Sequence, residues 1–97
     1  MKIRSFDMEG GGKRHFFMCP GCNITHTFVT DREQHPVWTY NGDPEKPTFN
    51  PSLLCKHTIT CHLFLHDGKL QFCGDSEHEL KNQTVDLPDV PKWLEEA

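Results

Sequence analysis

The hydrophobic positions of this chain recur with the two-residue period of β-strands rather than the 3.6-residue period of helices. Over 24–30, Ile24, His26 and Phe28 fall on one face and Thr25, Thr27 and Val29 on the other. The Phe-rich stretch 13–18 predicts a strand that runs into the turn Cys19-Pro20-Gly21-Cys22. A first strand is expected over 2–7, ended by Gly10-Gly11-Gly12. After a polar loop over 31–36, a short strand over 37–40 stops at Asn41-Gly42-Asp43, a strong turn signal. Pro44, Pro47 and Pro51 then exclude a helix and most ladder positions, so an ordered extended loop is expected before a strand over 52–56.

The clearest hairpin spans 60–74 around Asp67-Gly68. That turn pairs His66 with Lys69, Leu65 with Leu70, Leu63 with Phe72, His62 with Cys73 and Cys61 with Gly74. Leu63, Leu65, Leu70 and Phe72 then share a face with Cys61, and His62, Phe64 and Cys73 share the other. One helical turn is expected over 76–82, with Ser76 as N-cap and Glu79 as its capping-box partner. A last strand over 83–87 and a short helix opened by Pro91 complete the chain. The expected fold is mainly β (small α+β), with zinc-ribbon-like antiparallel hairpins and a short C-terminal helix, forming a single metal-stabilised domain over 1–97.

Composition sharpens this picture. With 97 residues and 35% apolar content the core is modest, so a metal crosslink would add useful stability. The net charge of −4 disfavours a broad phosphate-binding surface, because nucleic-acid affinity rests on clustered Lys and Arg. The five cysteines cannot all pair internally. No apolar run approaches signal-peptide length or the roughly 18 residues that span a bilayer. A reducing cytoplasm is therefore the expected setting, which favours metal ligation over disulfides.

Cys19-Pro20-Gly21-Cys22 aims two sulfurs at one point, and such a half-site takes zinc by default. The same thiolates can bind iron. The candidates for the other two ligands are Cys61, His62, His26, His78, Cys73 and Cys55. The hairpin register places Cys61 beside the exit that carries Asp75 and His78, so the preferred Zn2+ set is Cys19, Cys22, Cys61 and His78. His62 and His26 are the alternates for the fourth position; strand alternation turns His62 to the opposite face from Cys61. Cys55 and Cys73 read as small buried hydrophobes, and His15, His35, His57 and His66 as surface residues. A redox Cys-x-x-Cys pair would need a helix after the motif, where a β-branched segment follows instead.

Taken together, CPGC-x3-H, W-x-YNGD-x-EKPTFNPSLL, CH-x-F-x-x-DG-x-x-F, GD-x-x-H and Q-x-V-x-LP resemble a family of small phage and prophage proteins, DUF6527, some of them labelled "ammonia monooxygenase". The likeness covers roughly residues 14–88. It falls on Cys19, Cys22 and His26 at the knuckle and on Trp38, Asn41, Gly42, Pro47, Thr48 and Pro51 in the proline-rich stretch. It continues on Cys61, His62, Phe64, Asp67 and Gly68 in the hairpin and on Asp75 and His78 beyond it. Ser76 stands where that family often has Cys, which favours Cys61 as the third sulfur. The resemblance implies a phage or prophage origin and a host-cytoplasmic setting, and supplies no activity; nothing here spans a membrane as a copper monooxygenase would.

The leading functional expectation is a zinc-binding, phage-type protein-interaction module, partnered by a host or phage protein, without a catalytic residue. A metal-dependent hydrolase is the alternative, with Asp75 orienting a histidine or acting as base among His26, His62 and His78. Against it, Asp75 is read more simply as a cap, since no spacing such as HExxH is present. A third reading is a nucleic-acid binder stacking bases on Trp38, Tyr40 and Phe49 beside Lys46 and Lys56. The loop 41–52 is the expected partner surface, anchored by Trp38 and Phe49, unless it only wraps the site and closes the core.

Overall fold

The computed structural model describes residues 1–33 and 37–97. Eight strands form two antiparallel sheets. One contains β1 (Arg4–Asp7), β2 (Lys13–Cys19) and β3 (Ile24–Thr30) in that order. The other contains β4 (Thr39–Tyr40), β5 (Phe49–Lys56), β6 (Thr60–His66), β7 (Lys69–Phe72) and β8 (Thr84–Asp86). A single helical turn, α1 (Lys92–Glu95), seats Leu94 in the core. The mainly β expectation with a short C-terminal helix holds, and so does the hairpin register: Leu63 pairs with Phe72, Leu65 with Leu70 and His66 with Lys69. No helix among the described residues is long and apolar enough to cross a membrane.

Alternation explains which faces meet. His15, Phe17 and Cys19 on β2 and His26, Phe28 and Thr30 on β3 point inward. Phe49, Leu53, Cys61, Leu63, Leu65, Leu70 and Phe72 of the larger sheet point back at them. Phe49 joins the two layers, its ring 4.2 Å from that of Phe28 and 5.9 Å from that of Phe17. Each such ring contributes roughly 1.5–3 kcal/mol of burial.

Four local expectations change. Residues 76–82 form turns rather than a helical turn, because the Ser76 hydroxyl bonds the His62 backbone instead of capping. β5 starts at Phe49 and carries Pro51 within it, which a break in the β5–β6 register accommodates. The loop that precedes it is closed by Asn41, whose side-chain oxygen accepts from the amides of Asp43 and Thr48 and whose amide donates to the Lys46 carbonyl. Phe49 is core and Trp38 is half-buried against it, so the loop's aromatic residues close the core rather than offer anchors or stacking platforms. Finally, His15 is buried, while His57 and His66 are exposed as expected; the part of the polar loop at 34–36, with His35, lies outside the described residues.

His15 is held by both ring nitrogens, 2.7 Å from the Ser5 hydroxyl and 2.7 Å from that of Thr30. Thr30 donates to Asp31, so it accepts from Nε2–H and leaves Nδ1 to accept from Ser5. Burial pushes the imidazole below its ordinary 6.5, outweighing the opposing pull of Asp31, with Lys13 adding to the downward shift. The unfolded chain therefore binds more protons than the folded one below about pH 6.5. The neutral ring's contribution is complete above that value and is lost as pH falls through the lowered folded pKa. Urea denaturation at pH 7.5 and 5.5 is expected to show a smaller pH-dependent loss in His15→Gln than in the parent chain. Equal losses would remove His15 as the cause.

Candidate functional site

The break in register between β5 and β6 builds the first cluster. Phe49 pairs with Leu65 and Leu53 with Leu63, so residues 50–52 of β5 stand against Phe64 alone. Ser52 sits at the end of this irregularity, directly after Pro51, whose peptide bond with Asn50 is cis. Alternation then puts Ser52 and Leu54 on the open face, with Leu53 turned into the core. His62 pairs directly with Leu54 and is therefore the diagonal neighbour of Ser52 on that face. The Ser52 hydroxyl lies 3.0 Å from His62 Nε2. On the other side of the ring, Asp75 places its two carboxylate oxygens 3.1 and 3.2 Å from Nδ1.

The loop after β7 holds this arrangement. The Cys73 amide donates to the His62 carbonyl at 2.9 Å, which sets Cys73 opposite His62. The buried Ser76 hydroxyl accepts from the His62 amide at 3.1 Å and donates to the same carbonyl at 2.9 Å. His62 is thus fixed through its backbone while its ring stays 27% exposed. With a carboxylate on Nδ1 the ring proton stays there, and the Nε2 lone pair faces the serine hydroxyl. Leu54 and Phe64, 49% and 42% exposed, flank the ring as apolar surface. The exposure of the His62 ring, Leu54 and Phe64 places the cluster on an open sheet face, apart from a cleft of about 480 Å³ near Ser5, His15 and Tyr40.

The second cluster lies on the inner side. The ligand atoms of Cys19, Cys22, Cys61 and His78 are all within 4.8 Å of one another. The Cys19 and Cys61 sulfurs are 4.0 Å apart, and Cys61 Sγ is 3.4 Å from His78 Nε2. The Cys22 amide donates to Cys19 Sγ at 3.4 Å, as a tight turn after Pro20 allows. Gly21 has to be glycine: a Cβ there would lie 2.3 Å from the His78 ring. The hydrogen bond from Cys61 holds the Cys19 thiol down at about 4, against the effect of burial. Burial and the Cys19 charge push Cys22 up to about 11, and Cys61 is raised strongly by the bond it donates to Cys19 and by burial. Without a cation, these three sulfurs share one negative charge.

Of the alternate ligands, His62 belongs to the Ser52 cluster, and His26 lies in a group with Cys22 and His57. Cys55 and Cys73 are half-buried rather than core. Ser52 was not singled out in the sequence, because its partner depends on the β5–β6 irregularity. The His62–Asp75 pair was within reach: the hairpin register sets Cys73 opposite His62, and Asp75 follows two residues later.

A serine hydroxyl, an imidazole and a carboxylate bonded in series form the constellation of serine hydrolases. A family model matches residues 2–73, that of BubE, the bacterial ubiquitination-like system serine protease, and the chain belongs to this family. The match stops two residues short of Asp75. No curated protein and no solved structure matches the chain. The family match corrects the assignment to the phage and prophage family DUF6527, and with it the phage or prophage origin. It also overturns the phage-type zinc-binding interaction module as the function, together with its metal-hydrolase and nucleic-acid alternatives. The expectation of no catalytic residue rested on the metal-ligand candidates alone and did not weigh Ser52 beside His62. What stands of the partner expectation is that a ubiquitination-like system implies protein partners.

Gly21→Ala drives a methyl group into the His78 ring. It is expected to cost about 1–3 kcal/mol, the usual range for overpacking. Thermal denaturation checks it; an unchanged Tm would show that His78 moves aside freely.

Proposed function

We propose that this chain is a serine protease acting on a protein of a ubiquitination-like system. Ser52 is the nucleophile, His62 the general base and Asp75 the group that orients and stabilises the imidazolium. The observation that carries this reading is the Ser52–His62–Asp75 series, with contacts of 3.0 and 3.1 Å. Ser52 Oγ attacks the scissile carbonyl carbon as its proton passes to His62 Nε2. The C–N bond then breaks, and Nε2 returns the proton to the leaving amine. Water repeats the sequence on the acyl-enzyme, giving up its proton to Nε2, and Ser52 is regenerated. Asp75 accepts from Nδ1–H throughout, so the positive ring is paired while it exists. An open face bordered by Leu54 and Phe64 suits an extended protein segment better than a small enclosed ligand.

A fluorophosphonate probe is expected to label the parent chain at Ser52 and to leave Ser52→Ala unlabelled. With a cleavable protein or peptide substrate, Ser52→Ala and His62→Ala should each lower kcat by roughly 10⁶-fold. Asp75→Asn should cost about 10⁴-fold. Labelling that persists in Ser52→Ala, or a fully active Asp75→Asn, would sink the assignment.

The cofactor we infer is one Zn2+ held by Cys19, Cys22, Cys61 and His78. The donor set supports it: three crowded sulfurs and one imidazole match tetrahedral zinc, and a dication lets all three sulfurs be thiolates at once. Leu80 donates its amide to His78 Nδ1 at 3.2 Å, which leaves the ring proton on Nε2 beside Cys61. Ligation through Nε2 would require the ring proton on Nδ1 instead, at the expense of the Leu80 contact. Four protein ligands fill a tetrahedral site, so this ion supports the fold rather than activating water.

Treatment with a strong chelator is expected to lower Tm markedly, and Cys61→Ser should start from the lower value. A contribution of only about 2 kcal/mol corresponds to roughly 8–16 °C for a chain of this size. A Tm indifferent to both would remove zinc from the fold.

A further inference from the structure

Beside the four-ligand cluster, a second group of donors has no role in the protease reading. The ligand atoms of Cys22, His26 and His57 lie within 4.8 Å of one another. They come from three places. Cys22 belongs to the knuckle, His26 sits on the inner face of β3, and His57 is on the exposed turn between β5 and β6. His57 Nε2 is 3.3 Å from Cys22 Sγ, and the His26 and His57 ring centres are 6.0 Å apart. The independent sign of a ligand is His26. It is only 5% exposed, and its Nε2 is buried with no hydrogen-bond partner. Leaving a buried polar nitrogen unsatisfied costs about 1–3 kcal/mol, and such groups in folded chains usually have a partner.

We propose that a second zinc-type divalent cation binds Cys22, His26 and His57, sharing the Cys22 thiolate with the ion held by Cys19, Cys61 and His78. The proposal rests on the zinc reading of that first site. Donor atoms around tetrahedral zinc stand about 3.5 Å apart, so the observed group closes on an ion with small side-chain rotations. Cys55 pairs with Cys61 across β5 and β6 and interacts with His26, so it is the further thiolate available to this group. Charge favours the pair of ions. Three thiolates on one dication leave a net negative charge in a largely buried site. A second dication with two neutral imidazoles and the Cys55 thiolate brings the assembly to zero. The result is a thiolate-bridged two-metal cluster that ties the β5–β6 turn to the knuckle.

Native mass spectrometry of the folded chain titrated with Zn2+ tests this, together with Co2+ titration of the chain already holding one zinc. The parent chain is expected to take two equivalents, the second giving the visible bands of tetrahedral thiolate-bound Co2+. His57→Ala, altered only at an exposed turn, should keep the first equivalent and lose the second at least 10-fold in affinity. Circular dichroism confirms that this variant is folded. A single equivalent in the parent chain would overturn the second site while leaving the first intact, and no bound metal at all would overturn the first site itself. Two equivalents in both proteins would place the second ion elsewhere; loss of that ion in Cys73→Ser would put it on His62, Cys73 and Asp75 and overturn the proposal.

Discussion

The contact between Cys19 and Cys61 is the constraint on which the rest of this molecule depends. Cys19 ends β2 of the smaller sheet and Cys61 lies near the start of β6 in the larger one, and their sulfurs meet at 4.0 Å. The two sheets share no strand pairing among the described residues. Side chains hold them face to face: the Phe17, Phe28 and Phe49 rings at the centre and the sulfur cluster beside them. Apolar packing tolerates some sliding of one layer over another, whereas ligation fixes distances to a few tenths of an ångström. With the proposed ion bound, the sulfur cluster would set the two layers in register.

The same strand carries the chemistry. Cys61 and His62 are consecutive, and alternation sends one into the sulfur cluster and the other to the open face beside Ser52. The loop after β7 repeats this division. Asp75 reaches His62, Ser76 clamps the His62 backbone, and His78 turns back to Cys61. Both ends of the loop are thus held by groups on β6. Hydrolysis by a hydrogen-bonded series requires the imidazole within a few tenths of an ångström of serine and carboxylate. In a small domain with a modest core, the proposed zinc crosslink directly beneath the histidine would supply that rigidity.

Local periodicity made much of this legible. The knuckle, the 60–74 hairpin and its register followed from Cys-x-x-Cys, from Asp67-Gly68 and from the alternation of Leu63, Leu65, Leu70 and Phe72. That register was enough to bring Cys61 and His78 toward each other, whereas their meeting with Cys19 and Cys22 is a contact between sheets that no local pattern shows. Ser52 was not legible, because its position depends on how three residues of β5 fit against one of β6. Prolines suggested a loop there, and only tertiary pairing shows that Pro51 lies within a strand. His15 failed for a related reason. Its partners, Ser5 and Thr30, come from strands on either side, so a polar residue on an inward position gave no local sign that it was satisfied.

Placing the hydroxyl on an irregular stretch of strand has a chemical consequence. In a regular ladder, Ser52 would have paired backbone on both sides and a side chain fixed by the pleat. The irregularity frees local backbone groups and aims the side chain separately from its neighbours. Pro51 has no amide to lose, so an interrupted ladder costs less at that position than at any other residue type. His62, by contrast, lies in the regular part of β6, with its own backbone bonded to Ser76 and Cys73. The proposed nucleophile thus stands where the β5–β6 register is interrupted, and the proposed base where the backbone is bonded to Ser76 and Cys73. Because both face outward on a sheet rather than into a cavity, selectivity has to come from the surface around them, with Leu54 and Phe64 as its nearest apolar elements.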